Sequence, residues 1–204
     1  MSAIKTIIFD LGGVLIDWNP KRLFRKIFET EQEIDDFLAN VCTMDWNEQQ
    51  DAGRSLEEAT NILLERFPDY EVQIKAYYGR WSEMLGGAIE GTVAILENLK
   101  NNGEYQLLAL TNWSAETFPI AQERFDFLNY FEDILVSGEV KLKKPDPRIY
   151  RMLLENHQLE ASSSVFIDDS ARNIAAATAL GIQSIHFQSP EQVQSDLKRL
   201  GINC

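Results

Sequence analysis

Cysteine is scarce in this 204-residue chain, which has only Cys42 and Cys204. Two cysteines suggest no disulfide framework, and we expect Cys204 to be a free thiol. The chain also lacks a basic leader followed by an apolar segment, because Asp10 interrupts its one early hydrophobic run. No apolar stretch approaches the length of a membrane span. We therefore expect a cytoplasmic protein with no membrane partner.

Positive charge is also in short supply, since 19 Lys and Arg face 32 Asp and Glu, for a net charge of −13. This balance argues against nucleic acids and anionic membrane surfaces as partners. An anionic small molecule remains a possible substrate, provided that local donors or a metal ion receive it. Histidine is rare too, and we assign no catalytic role to His157 and His186, which the pattern places away from the proposed site.

The remaining composition is that of an ordinary globular protein, with 45% hydrophobic and 25% charged residues. A chain of this length can bury a substantial core and form one domain, with or without a smaller module. No internal repeat or low-complexity segment is present.

The stretch from residue 4 to residue 15 is the strongest local signal. Its β-branched and aromatic residues end abruptly at Asp10, which is followed by Gly12 and Gly13. This pattern predicts a buried parallel strand that carries Asp10 to a loop at its carboxyl end. There Asp10 is a candidate nucleophile or metal ligand, although it could equally begin a simple turn.

Strands alternate with helices from Gly91 onward, with predicted strands near residues 105–110, 134–136, 165–167 and 182–187. Alternation of this kind predicts a parallel α/β sheet. Residues 20–85 instead show helical periodicity and contain no convincing strand. We therefore expect a Rossmann-like α/β core made of residues 1–16 and 88–204, with an inserted helical domain at residues 17–87.

Polar side chains follow four of the predicted strands. Because the carboxyl ends of parallel strands share one edge of a sheet, we expect these side chains to converge. Three acids suit a hard cation such as Mg²⁺, and a hydroxyl and a lysine suit an anionic group. Each also has an ordinary explanation, as a helix cap, a strand-end turn or a solvated charge. The residues are Asp10, Thr111, Asn112, Lys144, Asp168 and Asp169.

Four short motifs, in this order, resemble those of the haloacid dehalogenase-like hydrolases that carry a small helical (C1-type) cap. They are residues 10–14 (Asp-Leu-Gly-Gly-Val), 110–112 (Leu-Thr-Asn), 144–147 (Lys-Pro-Asp-Pro) and 166–169 (Phe-Ile-Asp-Asp), the last followed by Asn173. The resemblance covers essentially the whole chain.

This resemblance implies a Mg²⁺-dependent phosphomonoester hydrolase that forms an aspartyl-phosphate intermediate on a small phosphorylated metabolite, a sugar phosphate being one option. It implies that Asp10 is the nucleophile and that Lys144 is a catalytic and substrate-binding residue. Thr111 and Asn112 would also bind the substrate. The implied metal ligands are Asp10, Asp168, Asp169 and the carbonyl of Gly12. The oligomeric state stays open.

Gly12 is the main departure from the family pattern, because phosphatases of this family usually have a second aspartate there as general acid and base. Dehalogenases of the family also lack it, so a metal-independent 2-haloacid dehalogenase is an alternative, with Arg22 or Arg54 as the halide-binding arginine. The pair Asp168-Asp169 favours the phosphatase. A third alternative is a regulatory protein that binds phosphate without turning it over.

The helical insert should determine specificity. Trp46 is a candidate substrate contact there, with packing inside the insert as the alternative. Asp45 and Glu48 are the candidates to replace the missing proton donor, with a surface charge as the alternative. Trp18 and Trp113 are candidates for the walls of the pocket.

Overall fold

The computed structural model describes residues 3–204, which contain seven strands and eleven α-helices. The strands are β1 (Thr6–Phe9), β2 (Ile16–Trp18), β3 (Leu85–Ala88), β4 (Gln106–Thr111), β5 (Asp133–Val136), β6 (Ser164–Asp168) and β7 (Gln183–His186). The helices are α1 (Lys21–Phe24), α2 (Glu31–Asn40), α3 (Met44–Asp51), α4 (Leu56–Arg66), α5 (Glu71–Gly79), α6 (Glu90–Asn102), α7 (Phe118–Arg124), α8 (Ser137–Val140), α9 (Pro147–Asn156), α10 (Ala171–Ala179) and α11 (Pro190–Arg199).

Five of the strands form one parallel sheet in the order β5-β4-β1-β6-β7. The first strand is therefore central, with β4 and β6 as its neighbours. This arrangement confirms the predicted parallel α/β architecture. It also brings the residues that follow β1, β4 and β6 to the middle of the same edge.

The central strands are apolar in their middle residues because both faces of the sheet are covered. Ile7 and Leu107 belong to one buried cluster, whereas Ile8 and Leu108 belong to a second. Consecutive residues of a strand point to opposite faces, so each strand contributes to both clusters. The sheet is thus held from two sides, and its carboxyl edge has a fixed frame.

Helices α1–α5 lie between β2 and β3, as the helical periodicity of this stretch predicts. The start of α2 is a complete capping box, in which the Thr30 hydroxyl accepts from the Glu33 amide and the Glu33 side chain accepts from the Thr30 amide. Helix α4 begins with a simpler cap, in which the Ser55 hydroxyl accepts from the Glu58 amide.

A two-stranded antiparallel sheet connects these helices with the rest of the protein, and the sequence reading missed it. Strand β3 covers Leu85–Ala88, at the end of the stretch for which the sequence predicted helices and no strand. Helix α5 stops earlier, at Gly79, and a short 3₁₀ turn precedes β3. Strands of three and four residues with two glycines carry almost no side-chain periodicity, so pattern alone cannot detect them.

No helix within residues 3–204 combines the length and the apolar character needed to cross a membrane.

Candidate active site

Asp10 directly follows β1 and is anchored through its backbone and its side chain. Its amide donates to the Ile167 carbonyl at 2.8 Å, which ties it to β6. Its Oδ1 accepts from the Leu11 amide at 2.7 Å and lies 2.9 Å from the Lys144 ammonium. Burial raises the pKa of Asp10 to about 7, against the opposing effect of Lys144 and with a further contribution from Asp168. Asp10 also borders a cavity.

Lys144 lies completely buried at the centre of this edge. Its Nζ donates to the Leu110 carbonyl at 2.8 Å and to Asp168 Oδ2 at 2.7 Å, and Asp10 is its third neighbour. These contacts use all three N–H groups of an ammonium. Burial alone would lower the pKa of Lys144, but Asp10 and Asp168 outweigh burial and raise it. This placement excludes the alternative in which Lys144 is a solvated charge.

Two further acids end β6 and complete a cluster of three carboxylates. Asp168 is fully buried, and its Oδ1 accepts from the Ser170 amide at 2.8 Å and from Asn173 Nδ2 at 3.0 Å. Asp169 is more exposed, and burial, followed by the charge of Asp168, raises its pKa. Asp169 does not cap α10, because Ser170 stands at the cap position. One oxygen from each of Asp10, Asp168 and Asp169 lies within 4.8 Å of the others.

Glycine allows the loop that follows β1 to approach this cluster. A Cβ at Gly13 would overlap the Asp169 carboxylate, and its φ of +76° is itself in the region that favours glycine. Gly12 lines the cavity, where a Cβ would meet no atom within 4 Å. Three carboxylates share a single buried lysine beside an accessible backbone, so negative charge is in excess. This donor set fits a hard cation that prefers oxygen ligands.

Thr111 and Asn112 end β4 at the same edge but differ in their surroundings. Thr111 is fully buried, and its Oγ1 has no hydrogen-bond partner within residues 3–204. Such an unsatisfied hydroxyl has an unused capacity to donate. The amide of Asn112 accepts from the Lys144 backbone N–H at 2.8 Å and donates to the Lys144 carbonyl at 3.0 Å. Asn112 therefore fixes the loop that carries Lys144, and it also lines the cavity.

The cavity of about 280 Å³ lies between this edge and the helices α3 and α5. Asp10, Gly12 and Asp169 line it from the sheet, and Glu48 and Asp51 line it from α3. Both the strand-end cluster and the helical segment thus contribute to one cavity.

Tryptophan forms much of the cavity wall. Trp18, Trp81 and Trp113 border it, which is three of the four tryptophans of the chain. The rings of Trp81 and Trp113 meet edge to face at 5.5 Å. The indole N–H groups of Trp18 and Trp113 are buried without a hydrogen-bond partner among the described residues. The candidate wall residues Trp18 and Trp113 therefore do reach the cavity.

Trp46 lies elsewhere. Its indole N–H donates to the Ala59 carbonyl at 3.1 Å, and its ring meets Tyr77 edge to face at 5.0 Å. It is buried within the helical segment and is not among the residues that line the cavity. The structure thus agrees with the alternative interpretation, in which Trp46 is a packing residue, and corrects its assignment as a substrate contact.

Of the two acids considered as proton donors, only Glu48 reaches the cavity, since Asp45 is exposed on the outside of α3. Glu48 forms ion pairs with Lys143 and Arg172. Burial would raise the pKa of Glu48, but these two cations outweigh it and lower the pKa. Glu48 is therefore an ionised bridge between the helical segment and the core, and it does not carry a proton near neutral pH.

Asp51 is the cavity acid whose importance the sequence did not reveal. It ends α3 and lines the cavity together with Asp10. Burial, followed by the charge of Glu48, raises the pKa of Asp51 to about 7, although Lys143 and Lys144 act against this rise. The sequence signal was the segment Asp51-Ala52-Gly53, in which the glycine marks a turn beside the acid.

His186 is closer to the site than the sequence reading placed it. It is the last residue of β7, opposite Asp168, and its ring Nε2 lies 2.9 Å from the Asp169 carbonyl oxygen. The expectation that it lies away from the edge is therefore wrong. A strand-end position in the last strand was the signal that could have located it.

A family model described as haloacid dehalogenase-like hydrolase matches residues 7–187. Among curated proteins, the chain is 25% identical over 203 residues to the sesquiterpene phosphatase astK of Aspergillus oryzae, covering 100% of this chain and 99% of that protein. It is 26% identical over 197 residues to a phosphoglycolate phosphatase of Vibrio cholerae, covering 90% and 84%. It also matches the drimenol cyclase drtB of Aspergillus calidoustus at 25% identity, where 97% of the chain spans only 36% of that protein.

Among solved structures, a HAD family enzyme from Bacteroides thetaiotaomicron is similar over 96% of this chain and 99% of its own, with a TM-score of 0.76 and 25% identity. The same enzyme in complex with magnesium and inorganic phosphate gives a TM-score of 0.71 at 27% identity, covering 92% of this chain and 96% of that one. A dehalogenase shares the fold at 19% identity, with a TM-score of 0.68 over 90% of this chain and 84% of its own.

Proposed function

The chain belongs to the haloacid dehalogenase-like hydrolases, and from this membership we propose that it is a Mg²⁺-dependent phosphomonoester hydrolase. The observation that carries the proposal is the cluster of three carboxylates within 4.8 Å around one fully buried lysine. The names of the phosphatase relatives and the magnesium and phosphate complex of the related enzyme support the same class. The proposed substrate is a small phosphorylated metabolite, with a sugar phosphate as one option.

Asp10, Asp169 and the Gly12 carbonyl would hold the Mg²⁺ ion, with Asp168 as a direct or supporting ligand. When bound, the cation neutralises phosphate charge and makes phosphorus easier to attack. The excess of carboxylates over lysine fits this assignment, and so does the absence of a side chain at Gly13, which gives Asp169 its place.

The proposed reaction proceeds by two displacements at phosphorus. A carboxylate oxygen of Asp10 attacks phosphorus, the ester oxygen leaves, and an aspartyl phosphate forms. Water then attacks phosphorus and releases inorganic phosphate, which restores the Asp10 carboxylate. Lys144 holds Asp10 in position and offsets its charge, and Thr111 and Asn112 bind the phosphoryl oxygens. Asn112 lines the cavity, which supports its role. Thr111 is fully buried and is not among the lining residues, so its role rests on its unsatisfied hydroxyl at the same strand end.

We further propose that residues 17–87 act as a cap over a core made of residues 1–16 and 88–204. The tryptophan wall of Trp18, Trp81 and Trp113 would contact the organic part of the substrate. Aromatic rings bind apolar surface, including the C–H face of a sugar ring, so the wall suits a compact group that offers at least one such face.

The test is hydrolysis of an aryl phosphate with Mg²⁺ and then with excess EDTA, using wild type and Asp10→Asn. We expect turnover that the chelator and the substitution each abolish. Metal-dependent turnover by a folded Asp10→Asn protein would refute the proposal.

The two alternatives give different results in the same assay. A 2-haloacid dehalogenase would release halide in EDTA, but neither candidate halide-binding arginine lines the cavity: Arg22 pairs with Asp17, and Arg54 donates to Gln50 and to the Trp46 carbonyl. A phosphate-binding regulatory protein would bind a phosphate analogue and hydrolyse nothing.

A further inference from the structure

The proposed chemistry lacks an assigned proton donor. The leaving oxygen must gain a proton in the first displacement, and the attacking water must lose one in the second. Gly12 has no side chain with which to do either. We propose that Asp51 of α3 is the general acid and base, an inference that rests on the proposed function. Asp51 protonates the leaving oxygen and then deprotonates the water.

The position of Asp51 supports this role. It lines the cavity from the helical segment, whereas Asp10 lines it from the sheet. The turn that follows Asp51 is packed closely on the core, because a Cβ at Gly53 would lie 2.7 Å from Lys141 Cγ and 3.3 Å from the Gly138 carbonyl oxygen. The φ of Gly53, +96°, likewise requires glycine. Asp51 is therefore fixed against the core.

The other acids on the cavity are already committed. Asp10 and Asp169 belong to the three-carboxylate cluster, and Glu48 is ion-paired with both Lys143 and Arg172. Asp51, in contrast, has no ion pair within residues 3–204 at the distances where these pairs form.

Among the titratable side chains that line the cavity, Arg172 pairs with Glu48, and Tyr78 is poorly suited to the task. Its hydroxyl donates to Asn47 at 3.1 Å and accepts from Gln50. Burial raises its pKa well above the ordinary value for tyrosine. Asp51 accepts a hydrogen bond from the Ser114 amide but forms no ion pair among residues 3–204. It is thus the cavity acid outside the three-carboxylate cluster that can change its protonation near neutral pH.

The charges around Asp51 are balanced in a way that suits proton transfer. Burial, followed by Glu48 on its own helix, favours the neutral acid. Lys143 and Lys144 from the loop after α8, and a hydrogen bond from the Ser114 amide, favour the carboxylate. Tyr78 faces it from α5 in its neutral form. The resulting pKa of about 7 is close to the value at which one group serves both as an acid and as a base.

Protons and bonds balance over the cycle. As Asp10 attacks phosphorus and the P–O bond to the leaving group breaks, the Asp51 proton moves to the leaving oxygen. The Asp51 carboxylate then takes a proton from water while the water oxygen bonds to phosphorus and the bond from phosphorus to Asp10 breaks. Asp51 finishes protonated, ready for the next cycle.

The experiment compares Asp51→Asn with wild type on an alkyl phosphate and a nitrophenyl phosphate, with Asp45→Asn as the control. Asn preserves the shape of Asp51, and Asp45 is an exposed acid on the same helix. For Asp51→Asn we expect about a 10²–10⁴-fold loss of kcat/KM on the alkyl phosphate. The loss on the nitrophenyl ester should be much smaller, because its leaving group needs no proton. Asp45→Asn should behave like wild type.

A second readout follows the intermediate rather than the overall rate. Because Asp51→Asn also lacks the base for the second displacement, nitrophenyl phosphate should give a rapid burst of one nitrophenolate per enzyme before a slow steady state. The pH profile is a third readout. Wild-type kcat/KM on the alkyl ester should fall above about pH 7, and this fall should be absent from Asp51→Asn.

The contradicting outcomes are distinct. If wild type turns over both esters and folded Asp51→Asn loses the same factor on each, or nothing, Asp51 is not the acid and the proposal is overturned while the proposed function stands. If wild type hydrolyses neither ester with Mg²⁺, the proposed function fails, and the role of Asp51 fails with it. If Asp51→Asn does not fold, the wild-type protein provides the test. Its kcat/KM is measured on both esters from pH 6 to pH 9, and an equal loss on the two esters would overturn the proposal.

Discussion

The two walls of the cavity hold their charges in different ways. On the sheet edge, the side chains of Lys144 and Asp168 are 0% exposed and form an ion pair of 2.7 Å between Nζ and Oδ2. On the helical side, Glu48 bridges to Lys143 and Arg172, whose side chains are 26% and 55% exposed. Removing one partner of a buried ion pair strongly destabilises the folded protein. Exposed pairs contribute little to folding stability and are screened by salt. The proposed reacting groups are thus rigidly placed, and the helical wall is attached more weakly.

The largest effect that this contrast predicts comes from the nucleophile itself. Asp10→Asn should lower kcat by roughly 10⁴–10⁶-fold, on the scale seen when other covalent nucleophiles are removed. Steady-state hydrolysis of an aryl phosphate measures the loss, and circular dichroism checks the fold. A reduction of only a few fold would mean that the sheet edge does not carry the nucleophile.

Lys144→Met should be the most destabilising change at the edge. It leaves Asp10 and Asp168 buried without their cation, which we expect to cost about 3–5 kcal/mol in the free energy of unfolding. Lys143→Met is the matched control, one residue earlier and partly exposed, with an expected cost below about 1 kcal/mol. Urea denaturation of metal-free protein measures both, and equal costs would remove the distinction between the two walls.

Gly13→Ala tests whether the approach of Asp169 to the first loop matters. The added Cβ overlaps the Asp169 carboxylate and forces alanine into a positive φ, so we expect about 1–3 kcal/mol of strain and weaker Mg²⁺ binding. Gly79→Ala, where a Cβ meets nothing within 4 Å, should bind Mg²⁺ as wild type does. Metal titration by calorimetry compares them. Unchanged affinity in Gly13→Ala would remove Asp169 from the proposed metal site.

Glu48→Gln should give a smaller and salt-dependent effect, since it weakens the attachment of the helical wall. We expect KM to rise roughly 5-fold at low salt, corresponding to about 1 kcal/mol, with kcat nearly unchanged. The difference from wild type should shrink as salt screens the wild-type pairs. Glu65→Gln, an exposed acid on α4, is the control. A fall in kcat with unchanged KM would indicate that Glu48 takes part in chemistry.

The last effect concerns stability and its dependence on pH. The pKa of Asp51 is raised from 3.8 to about 7, so the folded protein holds a proton that the unfolded chain loses between these values. Stability contributed by this proton is present below about pH 4 and is lost as the pH rises to about 7. Asp51→Asn should remove this dependence and make the protein more stable than wild type at pH 8, by about 1–2 kcal/mol. Urea denaturation at pH 5 and pH 8 measures it, and an equal difference at both values would contradict the assigned shift.

The sheet edge could be predicted from the sequence because its residues are tied to strand ends. Asp10, Thr111 and Asp168 each follow a short apolar run, and a parallel sheet must bring such ends together. Lys144 follows no strand directly, and only its motif with Pro145 located it. That its ammonium is fully buried between two acids is a tertiary fact beyond any local pattern.

The helical wall could not be predicted to the same degree. Helical periodicity specifies which face is apolar, but not which residue of an exposed face meets another part of the protein. Trp46 and Glu48 are two residues apart on α3, yet the first packs inside the helical segment and the second reaches the cavity. The proton donor was therefore sought at Asp45 and Glu48, and the raised pKa of Asp51 depends on burial that arises only when α3 docks on the core.

The steric course of hydrolysis at phosphorus tests the central claim most directly. A phosphomonoester made chiral with oxygen isotopes is hydrolysed in isotopically labelled water, and the configuration of the released phosphate is determined. Two in-line displacements through Asp10 predict net retention of configuration. Net inversion would mean that water attacks the substrate in one step, and would contradict the aspartyl-phosphate intermediate on which the account rests.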